Sequence, residues 1–194
     1  MYEVEVKAPA DHEAVRDRLD AVGATRFDPV TQTDVYYDAP HRSFATTDEA
    51  LRLRLERPTD SPGDDGSSAL TYKGPLVGTE TKTRAEIETG VEDGEATDEL
   101  LMNLGFEPTA TVTKRRERYR LRGYTVTLDT VEELGSFVEV ERMAETEDLV
   151  DASTGIVSIL EALGVDADDG TTTSYLEMML DQRTANDTEQ DGSS

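Results

Sequence analysis

Charged residues alternate with apolar ones in strand after strand, and this limits how the chain can fold. The pattern opens at Glu3-Val4-Glu5-Val6-Lys7. Successive side chains of an extended segment point to opposite faces, so Glu3, Glu5 and Lys7 form one row and Val4 and Val6 the other. Arg52, Arg54 and Glu56 alternate with Leu51, Leu53 and Leu55; Arg84, Glu86 and Glu88 with Ala85 and Ile87; Glu139 and Glu141 with Val138 and Val140. A sheet of such strands has one apolar face and one crowded with carboxylates and guanidinium groups, and the fold must place both.

The same reading finds about eight strands. They run over residues 3–7, 32–38, 51–56, 70–73, 83–89, 111–121, 124–131 and 136–142. Most are joined as hairpins, which predicts an antiparallel sheet with a few helices, an α+β chain. A helix is expected after Asp11, a suitable N-cap, with Val15, Leu19 and Val22 on one face and Gly23 as its stop. Further helices are expected over residues 97–104, 154–163 and 174–182. Residues 39–49 are turn-rich, and 58–68 read as a flexible hairpin loop without periodicity. One domain over 1–182 and a disordered polar tail over 183–194 are expected. A Glu-x-Glu strand leading to a helix with a glycine stop recurs three times at unequal spacings, which three ordinary strand-to-helix units explain as well as a repeat does.

The chain holds 43 acidic and 19 basic residues among its 194, a formal charge of −24. Such a surface repels nucleic acid and anionic lipid. Only 4 of the basic residues are lysines, and an acidic, lysine-poor chain is expected in a high-salt cytosol, where screening relieves self-repulsion. There is no cysteine, which excludes disulfides and thiolate metal sites. No apolar run reaches the roughly 18 residues of a membrane span, and the chain opens in a strand rather than a leader, so a cytoplasmic protein is expected.

An ordinary half-buried sheet would leave its charged face in water. Three features favour the reverse. Nine of the 19 basic residues lie on these strand faces, Arg120 among them, although the chain is acidic elsewhere. The faces mix those cations with paired carboxylates, the composition that holds a polyanion together with divalent cations. Eight strands also suffice to close a barrel around one small ligand. Closure with the charges inward turns the valine and leucine faces outward, where helices can cover them.

Carboxylate oxygens suit Mg²⁺ or Mn²⁺, while guanidinium and ammonium groups suit phosphate. Glu3, Glu5, Glu139 and Glu141 are therefore the expected metal ligands, with Asp129 a fifth that serves either as a ligand or in hydrogen bonding at the barrel's end. Lys7, Arg52, Arg54, Lys73, Arg84, Lys114 and Arg116 are expected to grip a triphosphate, with Arg118 either beside them or beyond the tunnel's end. Glu86 and Glu88 either bind metal or orient the arginines by ion pairing, and Asp34 positions its neighbours. The reaction class is phosphoryl or nucleotidyl transfer. His12 and His41 are expected at the surface, and Tyr175 in packing.

Glu3-x-Glu5-x-Lys7, Asp34-x-Tyr36-Tyr37-Asp38, Leu51-Arg52-Leu53-Arg54, Tyr72-Lys73-Gly74, Arg84-x-Glu86-x-Glu88, Lys114-x-Arg116 and Leu128-Asp129 followed by Glu139-x-Glu141 together resemble the CYTH superfamily of triphosphate tunnel metalloenzymes. The resemblance covers residues 1 to about 182. It implies a closed eight-stranded antiparallel barrel with helices outside, Mg²⁺ or Mn²⁺ on the glutamates and a triphosphate on the basic residues. It also implies catalytic roles for Lys7 and Tyr36, with Tyr37 in the core, and a possible homodimer. The superfamily includes CyaB-type class IV adenylate cyclases, thiamine triphosphatases and inorganic triphosphatases; the short chain opening at the motif is most similar to the CyaB group. The competing reading from another class is a noncatalytic module that binds polyphosphate or a nucleotide.

Overall fold

In the computed structural model the described residues are 2–60, 66–76, 82–171 and 173–182. The centre of the expected loop at 58–68 and the expected tail at 183–194 lie outside them. Eight strands close a barrel: β1 (Tyr2–Pro9), β2 (Thr25–Asp38), β3 (Ala50–Pro58), β4 (Ser67–Leu76), β5 (Lys82–Val91), β6 (Glu107–Leu121), β7 (Tyr124–Val131) and β8 (Gly135–Ala144). Their order around it is β1-β5-β4-β3-β2-β6-β7-β8, every neighbouring pair antiparallel. The helices are α1 (His12–Ala21), the one-turn α2 (Phe44–Thr47), α3 (Gly94–Asn103), α4 (Leu149–Ala162) and α5 over 175–182.

The barrel is inside out. Val4, Val6 and Ala8 of β1, Val126 and Leu128 of β7 and Val138 and Val140 of β8 point outward into the main core. There Val15 and Leu19 of α1 meet Ala152, Ile156, Ile159 and Leu160 of α4. A second cluster joins Tyr37 and Leu53 to Leu101 of α3. The third lies at one end of the barrel, where Val112, Val131 and Phe137 receive Tyr175 and Met179 of α5. Burying a large apolar side chain is worth about 1.5–3 kcal/mol, so these helices are what makes an apolar outer wall stable.

Several elements are longer than the sequence predicts. β2 starts at Thr25 rather than Gln32 because its ladder to β6 is interrupted between Phe27 and Val30 and then resumes. Pro29, which has no N–H to donate, sits in that interruption. α4 starts five residues early, since Ala152, fully buried, continues the inward spacing of Ile156 and Ile159. The turn-rich segment contains α2, ended by Asp48 in the left-handed conformation at φ 55°.

Candidate active site

Register determines which side chains meet inside the barrel. Across β1 and β8, Glu5 faces Glu141 and Lys7 faces Glu139. Across β4 and β5, Lys73 faces Glu86. Across β2 and β3, Asp34 faces Arg54 and Tyr36 faces Arg52, and Arg116 of β6 faces Asp129 of β7. The result is a cavity of about 610 Å³. Glu3, Glu5, Lys7, Glu139 and Glu141 line it, as do Tyr36, Arg52, Arg54, Lys73, Arg84, Lys114 and Arg116.

Glu3, Glu5 and Glu141 bring one carboxylate oxygen each within 4.8 Å of one another. Burial, then the Glu5 charge beside it, pushes Glu3 up to about 8, against the opposing pull of Lys73. Burial and the neighbouring Glu139 also raise Glu141. A carboxylate trio in which burial and mutual repulsion make Glu3 and Glu141 resist ionisation is the donor set a hard divalent cation fits, because the cation restores the missing positive charge. Glu139 stands beside this trio with other partners: it pairs with Lys7 at 3.4 Å and accepts from Arg116 at 2.8 Å. Asp129, wholly buried, is held by both arms of Arg116 at 2.7 and 2.6 Å and by the Tyr175 hydroxyl at 3.0 Å. The structure thus brings together three of the five expected metal ligands.

The cations are held in place by carboxylates on the strands. Asp34, 1% exposed, accepts from Arg54 at 2.6 and 2.8 Å and lies 3.7 Å from Arg52 and 3.8 Å from Lys114. Burial alone would raise its pKa, but Arg54, Arg52 and Lys114 hold it well below the usual carboxylate range. Glu86 pairs with Lys73 at 3.0 Å, and Lys73 also pairs with Glu3. Glu88 accepts from Thr71, which accepts from Arg52. Arg84 donates to the Asp48 carboxylate at 2.6 Å and to the carbonyls of Asp48 and Gly74. Lys114 is pushed down to about 8, by burial first and then by Arg116 and Arg54.

Lys7 differs from Lys114 in sign. Burial would lower it, but Glu5 at 3.0 Å and Glu139 raise it above its ordinary value, so it stays charged. The Tyr36 hydroxyl is raised by burial and by the Asp34 charge, so it stays protonated. Tyr37 borders the cavity but joins the outer core, its hydroxyl donating to Asp98. Arg118 lies beyond the large cavity, donating to the Asp28 carbonyl and pairing with Glu56 at 3.1 Å. Arg120 is exposed and stacks near Phe27. His12 is close to the Phe137 carbonyl, at 3.0 Å.

Two participants escape sequence reasoning. Tyr175 packs on Phe137 as expected, but its ring also carries the ammonium groups of Lys7 and Lys114 at 5.3 and 5.1 Å. Its position on an amphipathic terminal helix does not distinguish packing from this cation–π role. Asp48 reaches Arg84 from a turn, where no period marks which acidic residue faces inward.

The CYTH domain family matches residues 1–175. The protein MJ0240 of Methanocaldococcus jannaschii, named as a candidate adenylate cyclase, is 34% identical over 180 residues, 92% of this chain and 98% of its own. Adenylate cyclase CyaB of Aeromonas hydrophila is 26% identical over 156 residues, 80% of this chain and 75% of its own. Among solved structures, the PH1819 protein of Pyrococcus horikoshii gives a TM-score of 0.84 at 37% identity, covering 93% of this chain and 99% of its own. HpAC1 of Hippeastrum, whose structure is described as revealing a dominant triphosphatase activity, gives 0.64 at 17% identity, covering 90% of this chain and 92% of its own. At that identity the likeness concerns the fold.

Proposed function

The chain belongs to the CYTH domain family, and on that premise we propose that it is a CyaB-like adenylate cyclase, converting ATP to cyclic AMP and pyrophosphate. As a member of that family it is a metal-dependent enzyme of triphosphates. The observation that carries the reading is one cavity in which the Glu3, Glu5 and Glu141 carboxylates stand beside a buried set of arginines and lysines.

Glu3, Glu5 and Glu141 are assigned to Mg²⁺ or Mn²⁺, with Glu139 and Asp129 as supports that hold Lys7 and Arg116. The bound ion supplies charge neutralisation to the phosphates. Arg52, Arg54, Lys73, Arg84, Lys114 and Arg116 bind the triphosphate, and Asp34, Glu86 and Glu88 hold these cations in place. Cyclisation forms a bond from the ribose 3′-oxygen to the α-phosphorus and breaks the bond from that phosphorus to the α–β bridging oxygen; pyrophosphate leaves, and the 3′-hydroxyl proton passes to solvent water. Lys7 and Tyr36, one held charged and the other protonated, donate to phosphate oxygens in this scheme rather than accept the hydroxyl proton. The cavity mouth carries Phe44, Leu51 and Leu180, a surface that suits the organic end of a nucleotide.

A second reading, hydrolysis of inorganic or thiamine triphosphate to orthophosphate, draws on the Hippeastrum relative. The two are separated by giving the protein ATP, thiamine triphosphate and inorganic triphosphate in parallel, with Mg²⁺ or Mn²⁺. Cyclic AMP with pyrophosphate is expected; orthophosphate, formed fastest from inorganic or thiamine triphosphate, contradicts the cyclase. Among the described residues no helix is long and apolar enough to cross a membrane. A high-salt cytosol and a homodimer belong to this proposal. Ile87, 69% exposed on the outer face of β5, is a surface that pairing would cover.

A further inference from the structure

The large cavity does not fill the barrel. A second chamber of about 300 Å³ is lined by Gln32 of β2, where the large cavity has Tyr36 to Asp38. It takes Glu56 of β3 instead of Ala50, Ser67 and Ala69 of β4 instead of Lys73, and Arg118 of β6 instead of Thr109. The displacement has the same axial sense on four strands, so this chamber is the barrel's other end. Arg54, Glu88, Arg116 and Glu141 line both spaces, and these four side chains are the boundary between them.

The two ends differ in chemistry. The mouth of the large cavity carries Phe44, Leu51, Leu176 and Leu180. Among the described residues lining the second chamber, Ala69 is the only one with an apolar side chain. Two of its polar groups are buried and lack a protein partner. The Gln32 amide donates through Nε2 to Glu56 at 2.7 Å, but its Oε1 has none, and neither does the Thr127 hydroxyl. Gln32 is 2% exposed and Thr127 fully buried. A buried polar atom left without a partner is destabilising, so the chamber is built for a polar, hydrogen-bonding guest. At its edge lies the pair Arg118–Glu56, each side chain 21% exposed, where an arriving anion competes with Glu56 for the Arg118 guanidinium.

We infer that this second chamber is the port through which inorganic pyrophosphate enters and leaves, while the nucleoside end of the substrate uses the apolar mouth. The inference rests on the triphosphate reading above and adds a direction to it. The substrate lies along the barrel with its organic end toward Phe44 and its terminal phosphate toward Arg54 and Arg116. The inorganic product then departs without passing the organic one.

Narrowing each end in turn tests this. Ser67→Trp and Thr125→Trp crowd the second chamber, and Leu180→Trp crowds the mouth. Association and dissociation of radiolabelled pyrophosphate, and association of ATP, are measured on each variant with Mg²⁺. Both port variants are expected to slow the two pyrophosphate rate constants together, by about fivefold or more, leaving Kd within about twofold and ATP association unchanged. Leu180→Trp should slow ATP alone. Pyrophosphate rates slowed by Leu180→Trp and not by the port variants, or a wild type that does not bind pyrophosphate, overturn the port. Turnover assays on the same preparations separate the two claims: a wild type that exchanges pyrophosphate through the port yet converts no triphosphate refutes the catalytic reading and leaves the port standing.

Discussion

At the scale of single residues, the lysines show how one charge type is set to two tasks. Lys7 lies between Glu5 and Glu139 and stays charged, whereas Lys114 sits near Arg116 and Arg54 and is pushed down to about 8. Below about pH 8 the folded protein therefore holds a lysine charge that its own interior disfavours, a condition suited to an anionic ligand. Triphosphate affinity should fall as pH rises through about 8, and the fall should be smaller in Lys114→Met, where the Glu3 carboxyl, also raised to about 8, still titrates beside the site. Stability runs the other way: between about 8 and the ordinary value of 10.5 the unfolded chain keeps a proton that the folded one has released. Wild-type stability should therefore rise with pH across that window. At neutral pH Lys114→Met should raise the melting temperature while weakening triphosphate binding, the relieved penalty being on the order of 3 kcal/mol. Calorimetric melting and ligand titration from pH 6 to about 9.5 check both signs; a variant less stable than wild type at pH 7 contradicts them.

At the scale of elements, period-two alternation made the barrel legible. Every strand that pairs a charged inner row with an apolar outer row was found, and Glu3, Glu5, Lys7, Arg52 and Arg54 fell on the inner face as that rule requires. Contacts fixed by register were not legible. Nothing local to Asp129 says that Arg116 and Tyr175 will claim it, or that Glu3 and Glu141 will converge, because those meetings depend on how β1, β7 and β8 are staggered. Helix docking is equally non-local. Gly155 lies inside α4, where glycine normally costs about 1 kcal/mol relative to alanine. A Cβ there would overlap the Tyr124 hydroxyl and ring of β7, and that hydroxyl stands 3.3 Å from the carbonyls of Asp151 and Ala152. Gly155→Ala should accordingly lower the melting temperature despite its better helix propensity, and an increase would show that α4 can shift away from β7 without loss.

At the scale of the whole molecule, an acidic exterior encloses an interior in which scarce cations are matched to carboxylates. The two charge populations should respond differently to salt. Repulsion among exposed carboxylates of a chain at −24 is screened within about 8–10 Å at moderate ionic strength, while buried pairs such as Asp34–Arg54 are screened much less. Raising KCl from low concentration to about 1 M should increase the melting temperature; a decrease would mean that exposed ion pairs, not self-repulsion, dominate. The central claim is that the inward-facing carboxylates make a cation site that works together with the triphosphate-binding cations. Calorimetric titration of Mn²⁺ into wild type and Glu5→Gln, each with and without inorganic triphosphate, tests it most directly. Lys7 keeps Glu139 as a partner in the variant, so the fold should survive, with a melting temperature close to wild type. The account predicts Mn²⁺ binding that tightens with triphosphate in the wild type and weakens by about tenfold or more in Glu5→Gln. Equal Mn²⁺ affinity in the two proteins, both folded, would contradict it.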